Sequence, residues 1–118
     1  MRLTEISYGT ALAIESYGPG FFRVGSHVLR GPSLIAPWGA GAWGGLADSA
    51  AILALAGRID VLLLGFGRDM APVPKAFRTA LEAAGIGVEP MNTPAACRTY
   101  NVLLGEGRRI AAALLPVG

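Results

Sequence analysis

Charged residues are scarce in this sequence. Of its 118 residues, 15% are charged and 53% are hydrophobic, whereas roughly 25% are charged in an ordinary soluble domain. The chain has one histidine and one cysteine, which excludes a histidine-based metal cluster and an internal disulfide. Its apolar runs are all shorter than the roughly 20 residues that span a bilayer. We therefore predict a single domain, residues 1–118, with an ample core and no transmembrane segment.

The basic residues do not form a stripe. Arginine supplies nine of the ten, the net charge is +2, and only Arg108 and Arg109 are adjacent. A nucleic-acid-binding face needs clustered basic residues, so we expect no nucleic-acid partner. The start, Met1–Ile6, lacks the blocks of a signal peptide, and one cysteine suits a reducing compartment. These features predict a cytoplasmic protein. The low charge also favours apolar surface that meets a protein partner, and it leaves a homodimer open.

One segment organises the chain. Asp60–Gly67 has a charged start, four branched aliphatic residues, and two glycines around an aromatic residue. Such a short apolar run is typical of a strand covered by helices on both faces. A helix follows, with Phe77 and Leu81 on one face and Pro74 in its first turn, and Ile86–Val88 is the next strand. Residues 60–88 therefore predict a β-α-β unit.

The N-terminal third is predicted to be rich in strands. Ile6–Tyr8 and Leu12–Glu15 are short candidates. Phe21–Val24 and His27–Arg30 are two β-prone runs separated by Gly25-Ser26. That pair predicts a tight hairpin with a positive φ at the glycine.

The remaining elements follow from turn and capping signals. Gly39–Gly45 contains four glycines and is predicted to be a loop. Leu46–Ala56 is predicted to be a helix that Gly57 ends. Thr93 is predicted to be the N-cap of a third helix that reaches about Leu104. Arg109–Leu115 is the last predicted strand, and its direction stays open.

The glycines after the organising strand invite comparison with a dinucleotide fold. Gly65 and Gly67 begin a GxGxxG motif, and Glu89 lies where a ribose-binding acid would follow. The third glycine position is Met70, however, and the prolines at 72 and 74 displace the helix start. We therefore expect tight turning of the backbone and no cofactor.

The sequence also shows no grouping of residues that is typical of a catalytic site. His27 lies in a hairpin, and Cys97 lies early in a helix without a histidine nearby in sequence. Ser26 and Ser33 lack a nucleophile elbow. We assign no catalytic or metal-binding residue and expect a protein that is not an enzyme.

A polar cluster near the third helix has two interpretations. One is structural: Glu106 forms salt bridges with nearby arginines, and Asn101 satisfies backbone groups. The other is a groove for a ligand or partner between Gly65–Arg68 and Thr93–Asn101. The candidate groove residues are Gly65, Gly67, Arg68, Met91, Thr93, Arg98, Asn101, Glu106 and Arg108.

Three segments carry a family resemblance. They are Asp60–Gly67 (DVLLLGFG), Gly85–Pro94 (GIGVEPMNTP) and Ala96–Arg109 (ACRTYNVLLGEGRR). Together they resemble the small domain of mitochondrial complex I assembly factor 3 and its adipogenesis-associated relative, a family with many bacterial and archaeal members. The likeness extends over about Ile6 to Leu115. The pattern that includes Met91, Thr93 and the Arg-Thr-Tyr-Asn run is its most specific part.

The resemblance implies a fold and a biological context. The implied fold is α/β, with three layers, a mixed central sheet containing the β-α-β unit, and an additional N-terminal β-hairpin. The implied role is non-enzymatic binding of a protein during assembly of a respiratory complex. This chain begins without the mitochondrial targeting segment of the eukaryotic members, which favours a bacterial cytoplasmic version. The alternative is a small-molecule or anion-binding protein, with or without weak activity, that uses the polar groove.

Overall fold

The computed structural model describes residues 4–5 and 11–118. Within them the chain forms nine strands, three α-helices and a 3₁₀ turn at Gly45–Ala47. The strands are β1 (Thr4–Glu5), β2 (Ile14–Gly18), β3 (Phe21–Val24), β4 (His27–Arg30), β5 (Ser33–Ala36), β6 (Gly39–Ala42), β7 (Val61–Phe66), β8 (Gly87–Met91) and β9 (Ile110–Leu115), and the helices are α1 (Ala50–Leu53), α2 (Lys75–Ala83) and α3 (Thr93–Gly105). The predicted strand at residues 6–8 lies outside the described residues.

The strands form two sheets. The larger sheet has the order β1-β6-β5-β9-β7-β8, and the smaller one has the order β2-β3-β4. Strand β7 runs parallel to both of its neighbours, β8 and β9. Strands β5 and β6 complete a mixed sheet by antiparallel pairing. The last strand, whose direction the sequence left open, is therefore parallel to β7 and antiparallel to β5.

The larger sheet is the middle of three layers. Successive side chains of a strand point to opposite faces, so β7 contributes to two cores. Leu62 and Leu64 pack with α1 and α2 on one face. Leu63 packs with α3 and with the inner face of the small sheet on the other. The predicted three-layer α/β fold with a mixed sheet and an added hairpin is confirmed.

Several local predictions are confirmed. The organising strand occupies Val61–Phe66, and the hairpin joins β3 and β4 with Val24 opposite His27. Gly25 at its turn has φ +59°. Helix α2 buries Phe77 and Leu81 on one side.

The glycine-rich segment was predicted wrongly as a loop. Gly39–Ala42 is strand β6, which pairs with β5 on one side and with β1 on the other. Glycine and alanine have a low intrinsic preference for strands. Hydrogen-bonding neighbours on both sides override that preference here.

The helix predicted at Leu46–Ala56 is also wrong in extent, because Asp48 interrupts it. Its carboxylate accepts hydrogen bonds from the amides of Gly44 (3.1 Å) and Ala51 (3.2 Å). An aspartate that bonds nearby amides favours a cap over a helix interior. The segment is therefore divided into a 3₁₀ turn and the short helix α1. The C-cap of α1 is Ala54, so Gly57 (φ +84°), which was predicted to end the helix, lies three residues beyond it.

Two strand boundaries also differ from the prediction. Strand β2 occupies Ile14–Gly18, whereas the predicted strand was Leu12–Glu15. Strand β8 continues to Met91, in parallel register with β7 as far as Gly65.

The helices of the described residues are short. The longest, α3, has 13 residues. Among these residues, no helix has the length and apolar character needed to cross a bilayer.

Candidate functional site

The nine residues predicted for a groove lie at three places in the fold. Four meet where β7 and β8 end and α3 begins, and Arg68 follows them in an exposed loop. Arg98 and Asn101 lie in the middle of α3, and Glu106 and Arg108 lie beyond its last residue. Because an α-helix rises 1.5 Å per residue, α3 separates its two ends by about 20 Å. The fold thus brings Gly65, Gly67, Met91 and Thr93 together but not all nine residues.

Thr93 joins three segments at the first of these places. Its hydroxyl accepts a hydrogen bond from the Gly67 amide (2.8 Å) and donates one to the Leu115 carbonyl (2.6 Å). Its own amide donates to the Gly67 carbonyl (2.7 Å). The side chain is 0% exposed. Thr93 therefore ties the ends of β7 and β9 to the start of α3.

Gly65 allows this contact to be close. A Cβ atom at this position would lie 2.7 Å from the Thr93 hydroxyl oxygen and 2.9 Å from Leu114 Cδ2. Neither distance is compatible with a side chain unless the neighbours shift. The two segments that were predicted to flank a groove touch directly at this point.

The first turn of α3 has its amides already occupied. The Ala95 amide donates to Asn92 Oδ1 (2.8 Å) and the Ala96 amide to the Asn92 carbonyl (3.0 Å). Pro94 has no amide hydrogen, and that of Thr93 is bonded to Gly67. Free amides are what make a helix N-terminus attractive to an anion, so this turn offers few donors to a ligand.

The N-cap was therefore assigned to the wrong residue. Asn92 has the extended backbone of an N-cap (φ −69°, ψ 159°) and accepts from Ala95. The Thr93 hydroxyl is used by the sheet ends and is not available for capping. A long-range contact decides between two residues of similar capping preference.

Asn101 and its neighbour Tyr100 attach the small sheet to α3. The Asn101 amide group accepts from the Ile14 amide (2.9 Å) and donates to the Ile14 carbonyl (2.8 Å). The Tyr100 hydroxyl donates to the Leu12 carbonyl (2.8 Å). The structural interpretation of Asn101, that it satisfies backbone groups, is confirmed.

Burial raises the pKa values of two titratable groups on the buried side of α3. The pKa of the Cys97 thiol is raised to about 11, mainly by burial, and the charge of Arg98 opposes that rise only in part. Burial also raises the pKa of Tyr100 well above its usual value. A thiol with a raised pKa is a poor nucleophile at neutral pH.

The described residues hold few free polar groups inside the fold. In them, no buried side-chain nitrogen or oxygen lacks a hydrogen-bond partner. Nor do they contain a group of three or more His, Cys, Asp or Glu side chains placed to hold a metal ion.

The charges beyond α3 are paired, but weakly. Arg108 lies 3.8 Å from Glu106, and both side chains are more than half exposed. Arg109 pairs with Asp60 (3.4 Å) and donates to the Gly57 carbonyl (2.7 Å). Exposed pairs of this kind contribute little to stability.

The two most exposed large apolar side chains among the described residues were not predicted from the sequence. Met70 is 65% exposed in the loop after β7, and Val102 is 59% exposed on α3. The sequence did indicate that Val102 is exposed, because this residue lies four positions from both Arg98 and Glu106. Residues at that spacing share one side of a helix, which is here the polar side. Arg68 and Arg98 are exposed as well.

Comparison with known proteins identifies relatives along most of the chain. Residues 14–115 match the family described as "Protein of unknown function (DUF498/DUF598)". An uncharacterized protein of Rhodobacter capsulatus is 52% identical, over 99% of this chain and 94% of that protein. NADH dehydrogenase (ubiquinone) 1 alpha subcomplex assembly factor 3 of Danio rerio is 34% identical, over 95% of this chain and 67% of that protein.

A solved structure has the same fold. It is described as an outer membrane protein from Bartonella henselae and superimposes with a TM-score of 0.83 at 35% identity, covering 92% of this chain and 97% of that one. The chain belongs to the DUF498/DUF598 family and is a relative of the complex I assembly factor 3 proteins, as its motifs indicated.

Proposed function

We propose that this protein binds a protein component of the respiratory NADH dehydrogenase and helps that complex to assemble. The observation that carries the proposal is the relationship to an assembly factor of this complex, which extends over 95% of the chain. The relative is longer, and the chain covers 67% of it. The part that the two share is the three-layer domain described above.

The use of polar groups in the fold supports binding over catalysis. Two of the candidate residues, Thr93 and Asn101, have polar side chains that are hydrogen-bonded to backbone groups elsewhere in the fold. Exposed groups remain for recognition, among them Arg68, Met70 and Val102. Such a mixture of apolar and arginine side chains suits a protein interface.

The contacts at the start of α3 do not favour the alternative, an anion or small-molecule site. That site would need donors near Thr93, and the amides of the first turn are bonded within the chain. NMR titration with inorganic phosphate distinguishes the two functions. A saturable shift of the Gly67 and Thr93 amides would favour the ligand site, whereas unchanged spectra would count against an anion site there.

We further propose a cytoplasmic location and no nucleic-acid partner. Several arginines are engaged with the protein itself: Arg58 stacks on Trp38 (3.9 Å), Arg78 pairs with Glu82 (3.3 Å), and Arg109 pairs with Asp60. A phosphate-binding face would need them clustered and outward.

Deletion of the gene in its host tests the assembly function. We expect the fully assembled NADH dehydrogenase to decrease on blue native gels of isolated membranes and its NADH oxidation to fall with it. A tagged wild-type copy should restore both and should purify together with a subunit of the complex. Fractionation of the same cells locates the tagged protein.

The control is a second respiratory enzyme, succinate dehydrogenase, whose level should not change. A normal amount of assembled NADH dehydrogenase in the deletion strain would contradict the proposal. An equal loss of both enzymes would also contradict it, because the defect would then be general.

A further inference from the structure

The outward face of α3 has an apolar centre. The opposite side of the helix buries Thr93, Ala96, Cys97 and Tyr100. The other side presents Ala95, Arg98, Thr99, Val102, Gly105 and Glu106, of which Ala95 and Thr99 are half-buried and the other four exposed. Val102 lies in the middle of this face and is 59% exposed. An exposed helix face is normally polar at its centre.

The charges on this face are symmetric about Val102. Arg98 lies four residues before it and Glu106 four residues after it. Each is therefore displaced by about 6 Å along the helix axis, in opposite directions. In the described part of the chain, Arg98 forms no ion pair, and the carboxylate of Glu106 meets only the exposed Arg108, at 3.8 Å. Both charged groups are accessible to an opposite charge from outside.

Gly105 has no role within the fold that requires a glycine. Its φ is not positive, and a Cβ atom there would meet nothing within 4 Å. The turn that ends the helix is made by Gly107, with φ +74°. Gly105 is the last residue of α3, and because it has no side chain it leaves space on this face. The small outward residues Ala95, Thr99 and Gly105 permit another helix to approach closely.

We propose that the outward face of α3 binds the same face of a second copy, with the two helices antiparallel and a two-fold axis at Val102. In this arrangement, each residue that precedes Val102 by a given number of positions lies level with the partner residue that follows Val102 by the same number. Arg98 of each copy then meets Glu106 of the other, and Thr99 meets Gly105. The two valines are in contact at the axis. The face is self-complementary, as a two-fold interface requires.

The helix dipoles give a further argument for this direction. Glu106 is the C-cap of α3, where its negative charge is unfavourable to its own helix. An antiparallel partner with the axis at Val102 instead places its Arg98 beside that carboxylate, and the positive charge offsets the unfavourable one. A charge pattern that is unfavourable in one copy is thus favourable between two.

The interface is small, since it rests on one helix from each copy. Stable complexes usually bury at least about 1,000 Å², so the dimer is expected to be weak and to form as the concentration rises. This inference does not depend on the assembly function.

Analytical ultracentrifugation over a range of concentrations, with variants in which one charge is reversed, tests the dimer. Arg98→Glu places two acidic groups on each face, and Glu106→Arg places two basic groups. Each variant alone should dimerise at least about tenfold more weakly than the wild type, since like charges then meet across the interface. An equimolar mixture of the two should recover dimers, because both charge pairs are then complementary. The double variant should recover them as well.

Two further variants test whether weaker dimerisation is specific to the outward face of α3 or follows from any change of the surface. Lys75→Glu reverses an exposed charge on α2, across the sheet from α3, and should leave the dimer unchanged. Gly105→Leu should weaken it without unfolding the chain, because the added side chain separates the helices. Thermal unfolding of each variant checks the fold.

The proposal is overturned if the wild type stays monomeric at the highest attainable concentration. It is equally overturned if the single charge reversals leave the dimer intact, or if their mixture stays monomeric.

Discussion

Thr93 connects three segments of the chain through one hydroxyl and one amide. The hydroxyl is fully used, since it accepts from Gly67 and donates to Leu115. A buried polar group is expensive when its partner is lost, whereas its net contribution when paired is modest. The role of this residue is therefore best measured by removing the hydroxyl and keeping the shape.

We expect Thr93→Val to lower the free energy of unfolding by about 1–3 kcal/mol, because the Gly67 amide and the Leu115 carbonyl lose their partner. Urea denaturation followed by circular dichroism measures the change.

Thr93→Ser is the matched control, since it keeps the hydroxyl and removes only a methyl group. It should cost less than the valine variant. If serine proves the more damaging of the two, packing of the methyl group matters more than the hydrogen bonds.

The contact between β7 and α3 determines how these elements pack. Gly65 lies opposite Thr93, with too little space for a Cβ atom. We expect Gly65→Ala to destabilise the fold by about 1–3 kcal/mol, the usual effect of overpacking. The midpoint of urea denaturation should fall with the slope unchanged.

Gly87 provides the comparison for that substitution. It lies in β8 of the same β-α-β unit, and a Cβ atom there would be 3.7 Å from the Asp60 carbonyl, an ordinary contact. Gly87→Ala should leave stability nearly unchanged. A similar loss in both variants would mean that strand glycines matter here for a reason other than close approach.

Local sequence patterns were sufficient to predict the elements whose own residues strongly favour one structure. Val61–Phe66 is apolar throughout, and the Gly25 turn has the positive φ that glycine supplies. Strand β6 could not be predicted in this way, because its Gly-Ala sequence has little strand preference and depends on its neighbours. Asp48 interrupts a helix whose apolar spacing looked continuous.

The candidate site was harder to predict for the same reason. Asn101 bonds to Ile14, 87 positions earlier in the chain. Thr93 bonds to Leu115, 22 positions later. No local pattern records such partners, so the residues of the motif were identified while their roles were left open.

At the scale of the whole molecule, one sheet separates two cores. Leu62 and Leu64 face the core that contains Trp43, and Leu63 faces the core that contains Tyr100. Neither core is complete without β7, since alternate residues of that strand supply both. Small single domains usually unfold in a single transition. A substitution that destabilises one core should therefore lower the stability of the other core as well.

Tyr100→Phe tests this coupling. The variant removes the hydroxyl that donates to the Leu12 carbonyl, on the side of the sheet away from the buried Trp43. We expect a loss of about 1–2 kcal/mol, seen equally by tryptophan fluorescence, which reports the opposite core, and by far-ultraviolet circular dichroism. Two transitions that separate in the variant would show instead that the α3 side, with the small sheet, unfolds independently of the rest.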